Sequence, residues 1–172
     1  MKARELTETL KRAVILVDTR EQPTARFNRR VKLWPIPYER RKLNAGDYSI
    51  KTTLPDGTEF SLEDKVTIER KMCLDEIAGN LTRERERFTR EFERAKEAGM
   101  KTYVIIEEGD YDRIVAHRYR SKLLPKAFMT SLAAWEARYN CNVKFCSEKV
   151  SPVVIYDILI YELREALKNE QI

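Results

Sequence analysis

The sequence predicts an α/β domain built on a central mixed β-sheet flanked by helices, and three observations predict it. Two short, continuous apolar runs, residues 13–17 and 102–106, have the composition of strands covered on both faces. Residues 48–53 alternate with a period of two, as a half-covered strand does. Apolar residues recur at helical spacing over 74–98, 126–139 and 151–167. Strands alternating with helices in this order lay helices against sheet faces.

Taken in order, residues 1–12 are polar and charged, with Leu6 and Leu10 giving a weak amphipathic spacing: a short helix or a frayed arm. The first strand, 13–17, ends at Asp18. Residues 19–32 are basic and aperiodic, which predicts a loop with at most one helical turn. Pro35 and Pro37 supply no backbone donor, so 31–38 is expected at an edge or irregular. After the strand over 48–53, Leu54-Pro55-Asp56-Gly57-Thr58 is a turn, and 66–69 is the next strand. Pairing across that turn, hairpin fashion, would bring Asp47 and Glu69 together. From 74 to 98 one helix is expected, with Ile77, Leu81, Phe88, Phe92 and Ala95 on one face and Gly99 ending it. The strand over 102–106 runs into Glu107 and Glu108, expected as a solvated end. Residues 110–124 are mixed and basic. Pro125 suits the first turn of a helix reaching Tyr139. A short strand over 142–145 and a closing helix over 151–167 complete the chain. With no repeat and no Gly/Ser linker, a single domain over 1–172 is expected.

The 172 residues suffice for one well-cored domain. Hydrophobic residues make up 42% and charged residues 35%, with a net charge of +5, which favours an anionic partner. From Arg20 to Lys42, eight Lys/Arg stand against two Glu, an excess larger than that of the whole chain. Cys73, Cys141 and Cys146 are odd in number and widely spaced, which fits neither a disulfide framework nor a paired-cysteine zinc site. Reduced thiols in a cytoplasmic protein are expected. No leader-like apolar stretch follows Met1, and the most apolar stretch, 150–167, is interrupted by Asp157, Glu162, Arg164 and Glu165, so no membrane segment is expected.

The chemistry concentrates in Ile68-Glu69-Arg70-Lys71 and Gly46-Asp47-Tyr48. Residues two apart on a strand share a face, so Glu69 and Lys71 enter one site while Arg70 points elsewhere. Two carboxylates, with the carbonyl of Arg70, satisfy the oxygen preference of Mg²⁺. Lys71 is suited to orienting water and stabilising charge; use as a base requires a large pKa depression. A Glu-x-Lys triplet alone is as easily a solvated strand face, as Glu63-Asp64-Lys65 illustrates. A third acidic cluster, Asp18-Thr19-Arg20-Glu21, follows the first buried strand, and ligand sites gather at such strand ends.

Val17-Asp18-Thr19-Arg20-Glu21, Gly46-Asp47-Tyr48 and Ile68-Glu69-Arg70-Lys71 with Asp75, in that order, closely resemble the XPF-type structure-specific endonucleases, a branch of the PD-(D/E)xK superfamily. Their pattern is V-D-x-R-E, G-D-Y and V-E-R-K-x-x-x-D. The resemblance implies a restriction-endonuclease-like fold and Mg²⁺- or Mn²⁺-dependent cleavage of branched, flapped or forked DNA. It implies a catalytic set of Asp18, Arg20, Asp47, Glu69, Arg70, Lys71 and Asp75, with metal held by Asp47, Glu69 and Asp18. DNA contacts are expected from Arg20, Arg26, Arg29, Arg30 and Arg83. The segment from Ser131 to Tyr139 looks like small stand-alone phage or bacterial members, which places the protein in a bacterial or phage-infected cell. No helix-hairpin-helix or helicase module of the larger relatives is expected. A homodimer is expected because the family often dimerises through helices near 128–163. The rival readings are a non-catalytic module that positions an active partner and a nuclease acting on other nucleic acid.

Two weaker signals remain. The charges between 83 and 97 interleave as on a solvated helix face. Trp34 and Tyr38 suit a core role better than base stacking.

Overall fold

The computed structural model describes residues 3–169, so the first two residues of the expected N-terminal arm lie outside the described residues. The elements run α1 (Ala3–Leu10), β1 (Val14–Asp18), α2 (Ala25–Val31), β2 (Tyr38–Arg41), β3 (Tyr48–Thr53), β4 (Glu59–Ser61), β5 (Val66–Lys71), α3 (Leu74–Leu81), α4 (Arg85–Glu97), β6 (Lys101–Glu107), α5 (Tyr111–Val115), α6 (Pro125–Tyr139), β7 (Cys141–Cys146) and α7 (Ser151–Asn169). The strands form one mixed sheet in the order β2-β1-β3-β5-β6-β7, with β4 also pairing β3. This is the α/β architecture the sequence predicts. Residues up to Thr67 with those from Pro152 make one compact unit, and Ile68–Ser151 a second.

In the first unit β1 is covered on both faces: Ile15, Leu16 and Val17 are fully buried. It pairs with β2 in parallel, Ile15 opposite Tyr38, and with β3 antiparallel, Val17 opposite Tyr48. Ile155, Leu159, Leu163 and Leu167, four residues apart on α7, are buried as one stripe. Trp34 is buried too, its Nε1 donating to Pro152 O at 3.1 Å, as the core reading expects; Tyr38 is exposed and meets Trp34 edge-on. The basic segment is more regular than expected. Thr24 accepts from Phe27 N and starts α2, and Phe27 anchors that helix in the core.

The turn at Pro55-Asp56-Gly57 closes a hairpin of β3 with β4, while β5 is β3's neighbour in the sheet, as expected, without that turn joining them directly. Gly57 sits at φ +89°, where a side chain is disfavoured. A second turn follows, with Lys65 N and Val66 N both bonded to Leu62 O. Only then does β5 begin, its first residues held by Ser49 Oγ donating to Val66 O and Thr67 Oγ1 to Ala45 O, each at 2.8 Å.

In the second unit the single helix expected over 74–98 is two. Thr82 Oγ1 turns back to Ala78 O at 2.7 Å, and the backbone at Thr82 leaves helical geometry (φ −121°, ψ −89°), so α3 stops before α4 starts. Phe88 and Phe92 of α4 pack on Trp135 of α6, with centroids 4.6 Å apart in both pairs. The five-residue α5, unforeseen in the sequence, is capped by Asp110, whose side chain accepts from Arg113 N. Among the described residues no helix is long and apolar enough to cross a membrane.

Candidate functional site

In the first unit, Asp18 closes β1 and is almost fully buried. Its Oδ1 accepts from Arg20 N at 2.8 Å and Arg20 Nε at 2.6 Å, and its Oδ2 accepts from Leu43 N at 2.7 Å. Burial opposes ionisation, but these hydrogen bonds and the charge of Arg20 hold the carboxyl below the ordinary value. Asp18 N donates to Asp47 O at 2.8 Å, tying the first motif to the second. Gly46, at φ +67°, turns the backbone immediately before Asp47. The Asp47 side chain is half-buried.

Asp18, expected to ligate metal, has both its oxygens on protein donors, an arrangement that ties the two motif loops together. Arg30 was expected on DNA, yet it is 2% exposed. Its Nη1 lies 3.5 Å from Glu21 Oε1 and 3.2 Å from Tyr48 Oη, while Tyr48 donates to Glu21 at 2.7 Å. Glu21 and Tyr48, one from each motif, are thus joined through a buried arginine. Arg26 is half-buried, and Arg29 and the Arg20 side chain are exposed.

In the second unit, Glu69 Oε1 accepts from Lys71 Nζ at 2.6 Å, confirming that alternate residues of β5 share a face. Lys71 is buried, lies 3.9 Å from Glu76 and sits over the Phe88 ring at 5.1 Å. Arg70 leaves by the other side and donates Nη1 to Glu107 Oε2 at 3.1 Å. Glu107 is not the solvated end expected: it is fully buried and also accepts from Ser151 Oγ at 2.6 Å. A carboxylate that ends a buried strand was the available signal, and its two donors lie too far off in sequence to be foreseen.

Asp75, expected in the catalytic set, is held by three donors from the segment before α6. Its Oδ1 accepts from Arg120 N at 2.7 Å and Ser121 N at 2.9 Å, and its Oδ2 from Arg120 Nε at 3.2 Å. Burial raises its pKa, but these donors outweigh that and lower it. Asp75 therefore fixes the segment before α6. Arg83 lies exposed in the break between α3 and α4.

Among the described residues no group of three or more His, Cys, Asp or Glu gathers as a metal cluster. A hard divalent ion that keeps most of its waters asks less, one or two carboxylates, and Asp47 and Glu69 are donors of that kind.

The ERCC4 domain model matches residues 17–153, which contain all three motifs. The chain belongs to the ERCC4 domain family. The ERCC4 match begins one residue before Asp18 and ends just inside α7, so α1 lies outside it. Solved structures share the fold. XPF from Aeropyrum pernix is 21% identical with a TM-score of 0.66, over 92% of this chain and 65% of that one. XPF from Aeropyrum pernix in complex with DNA is 21% identical with a TM-score of 0.64, over 90% and 66%. The chain thus spans just under two thirds of the length of those XPF chains. No curated protein matches it.

Proposed function

We propose that this ERCC4-domain chain is a divalent-metal-dependent endonuclease that hydrolyses phosphodiester bonds of DNA at branched, flapped or forked structures. The observation that carries the reading is the retained Glu69–Lys71 pair, 2.6 Å apart at the end of β5, inside a family match that also contains Asp18 and Asp47. A module kept only for binding has no need of this pairing beside the other acids, which favours activity over the non-catalytic reading. The DNA complex of the Aeropyrum pernix relative supports DNA as the ligand.

Asp47 and Glu69 are the side chains that would hold Mg²⁺ or Mn²⁺. When bound, such an ion neutralises phosphoryl charge and makes water acidic enough to supply a nucleophile near neutral pH. The remaining roles belong to the chain itself. Lys71, pinned by Glu69, orients water and stabilises charge on the phosphate. Glu107 fixes Arg70, and Asp18 fixes the Arg20 backbone beside an exposed guanidinium suited to a phosphate oxygen. The proposal includes a cytoplasmic setting, consistent with the thiols of Cys73, Cys141 and Cys146. It also includes a homodimer; a concentration-independent monomer in sedimentation would contradict that part.

Labelled flaps, forks, splayed arms, plain duplexes and single strands, incubated with Mg²⁺, Mn²⁺ or EDTA, test substrate and cofactor together. Metal-dependent cutting confined to the branched substrates is expected. Cutting that persists in EDTA, or no cutting of any DNA, contradicts the reading.

A further inference from the structure

We propose that a cleft within residues 68–151 holds the phosphate backbone of one DNA arm, an inference that rests on the DNA-cleaving reading above. The cleft has a volume of about 900 Å³. Arg83 lines it from the α3–α4 break, and Arg120 and Lys122 line it from the segment before α6, with Leu123 and Leu124 between.

Three features distinguish it from an ordinary solvated surface. The first is an excess of positive charge. Among the lining side chains, Arg83, Arg120 and Lys122 stand against one carboxylate, Asp75. Arg83 and Lys122 are exposed and meet no carboxylate among the described residues. The neighbouring α4 shows the contrast: there Arg87 pairs with Glu84, and Arg90 lies 4.0 Å from Glu86. The second is a fixed frame. Asp75 accepts the backbone N–H of both Arg120 and Ser121, so the segment is held while the Arg120 side chain stays 90% exposed and bonds Asp75 through Nε alone. The third is composition. Leu124 is 66% exposed beside these cations. An apolar side chain beside an excess of cations suits a ligand that alternates anionic groups with apolar faces, as phosphates and deoxyriboses do. An open cleft of this size also exceeds what one phosphate fills.

The test uses the full chain and a fluorescein-labelled DNA fork, with binding read by anisotropy in EDTA across a NaCl titration. Each phosphate contact contributes about 0.9 to the slope of log K against log salt. The double variant Arg83→Gln/Lys122→Gln is expected to lower that slope by roughly 1.8 and to weaken low-salt binding about tenfold. Each single variant is expected to give half the slope change, with the thermal midpoint unchanged. Lys96→Gln, an exposed cation outside the cleft, is expected to change neither quantity. An unchanged slope in the double variant overturns the proposal, as does an equal loss in Lys96→Gln or a loss confined to RNA of the same shape. Because binding is read without metal, the two readings separate. A changed slope in a chain that cuts nothing leaves the cleft standing without the nuclease, and an unchanged slope with intact cutting does the reverse.

Discussion

Arg30 carries a full charge inside the first unit, and its partners decide what happens when it is removed. Glu21 and Tyr48 Oη face it from two different motifs, and Glu21 itself is only 12% exposed. Deleting one side of a buried pair leaves the other uncompensated, so Arg30→Ala is expected to destabilise the fold by about 3–5 kcal/mol. Arg29→Ala, at an exposed position one residue earlier, should stay within about 0.5 kcal/mol. Urea unfolding of the two variants checks this; equal midpoints would contradict the buried network. At this scale the sequence was legible where period two applies, as for Glu69 and Lys71. It was not legible where burial decides. The letters around Arg29 and Arg30 are alike, and only the helical rotation of α2, seeded by Thr24, turns one outward and one inward. The donors to Asp18 were hidden for the same reason: they include Leu43 N, 25 residues away.

Among the elements, the strands were readable because apolar runs and alternation are local. The break between α3 and α4 was not, because helical spacing continues through Gly79-Asn80-Leu81-Thr82, where the backbone leaves helical geometry at Thr82. The hairpin partner of β3 was misjudged because β4 has three residues, too few to show a period. Gly109 offers a test of how tightly α3 is seated after β6. A Cβ there would meet Leu74 Cδ2 at 2.7 Å and Cγ at 2.9 Å, and Leu74 is 3% exposed. Gly109→Ala is therefore expected to cost about 1–3 kcal/mol, the usual penalty of overpacking. Gly79→Ala, where the nearest atom is Arg83 Nη2 at 3.6 Å, should stabilise a helix position by up to about 1 kcal/mol. Calorimetric midpoints that fall together would show that Leu74 is not the obstacle.

At the scale of the whole molecule, the carboxylates set the acid limit of the fold. Asp18 and Asp75 are held below the ordinary value of 3.8, and Glu59, bonded to Arg41 and Lys51, is lowered from 4.5 to about 2. A depressed carboxyl stabilises fully above its unfolded pKa, and that contribution disappears as pH falls through the folded one. Stability is therefore expected to hold down to about pH 4.5 and to decline from there toward pH 2. Glu59→Gln should flatten the upper part of that decline, as read by circular dichroism melts; an unchanged pH profile would contradict the assignment. The α/β class was legible from alternation alone. The sheet order β2-β1-β3-β5-β6-β7 was not, since no residue pattern names a strand's neighbour.

The central proposal is that Asp47 and Glu69, distant along the polypeptide, both contribute to binding a divalent cation, with Lys71 acting on the reaction rather than on the ion. Calorimetric titration of Mn²⁺ into the full chain addresses it directly. One site per chain is expected for wild type and for Lys71→Ala, and none for Asp47→Asn or Glu69→Gln, with all four chains equally folded. Undiminished Mn²⁺ binding by either carboxylate variant would contradict the claim.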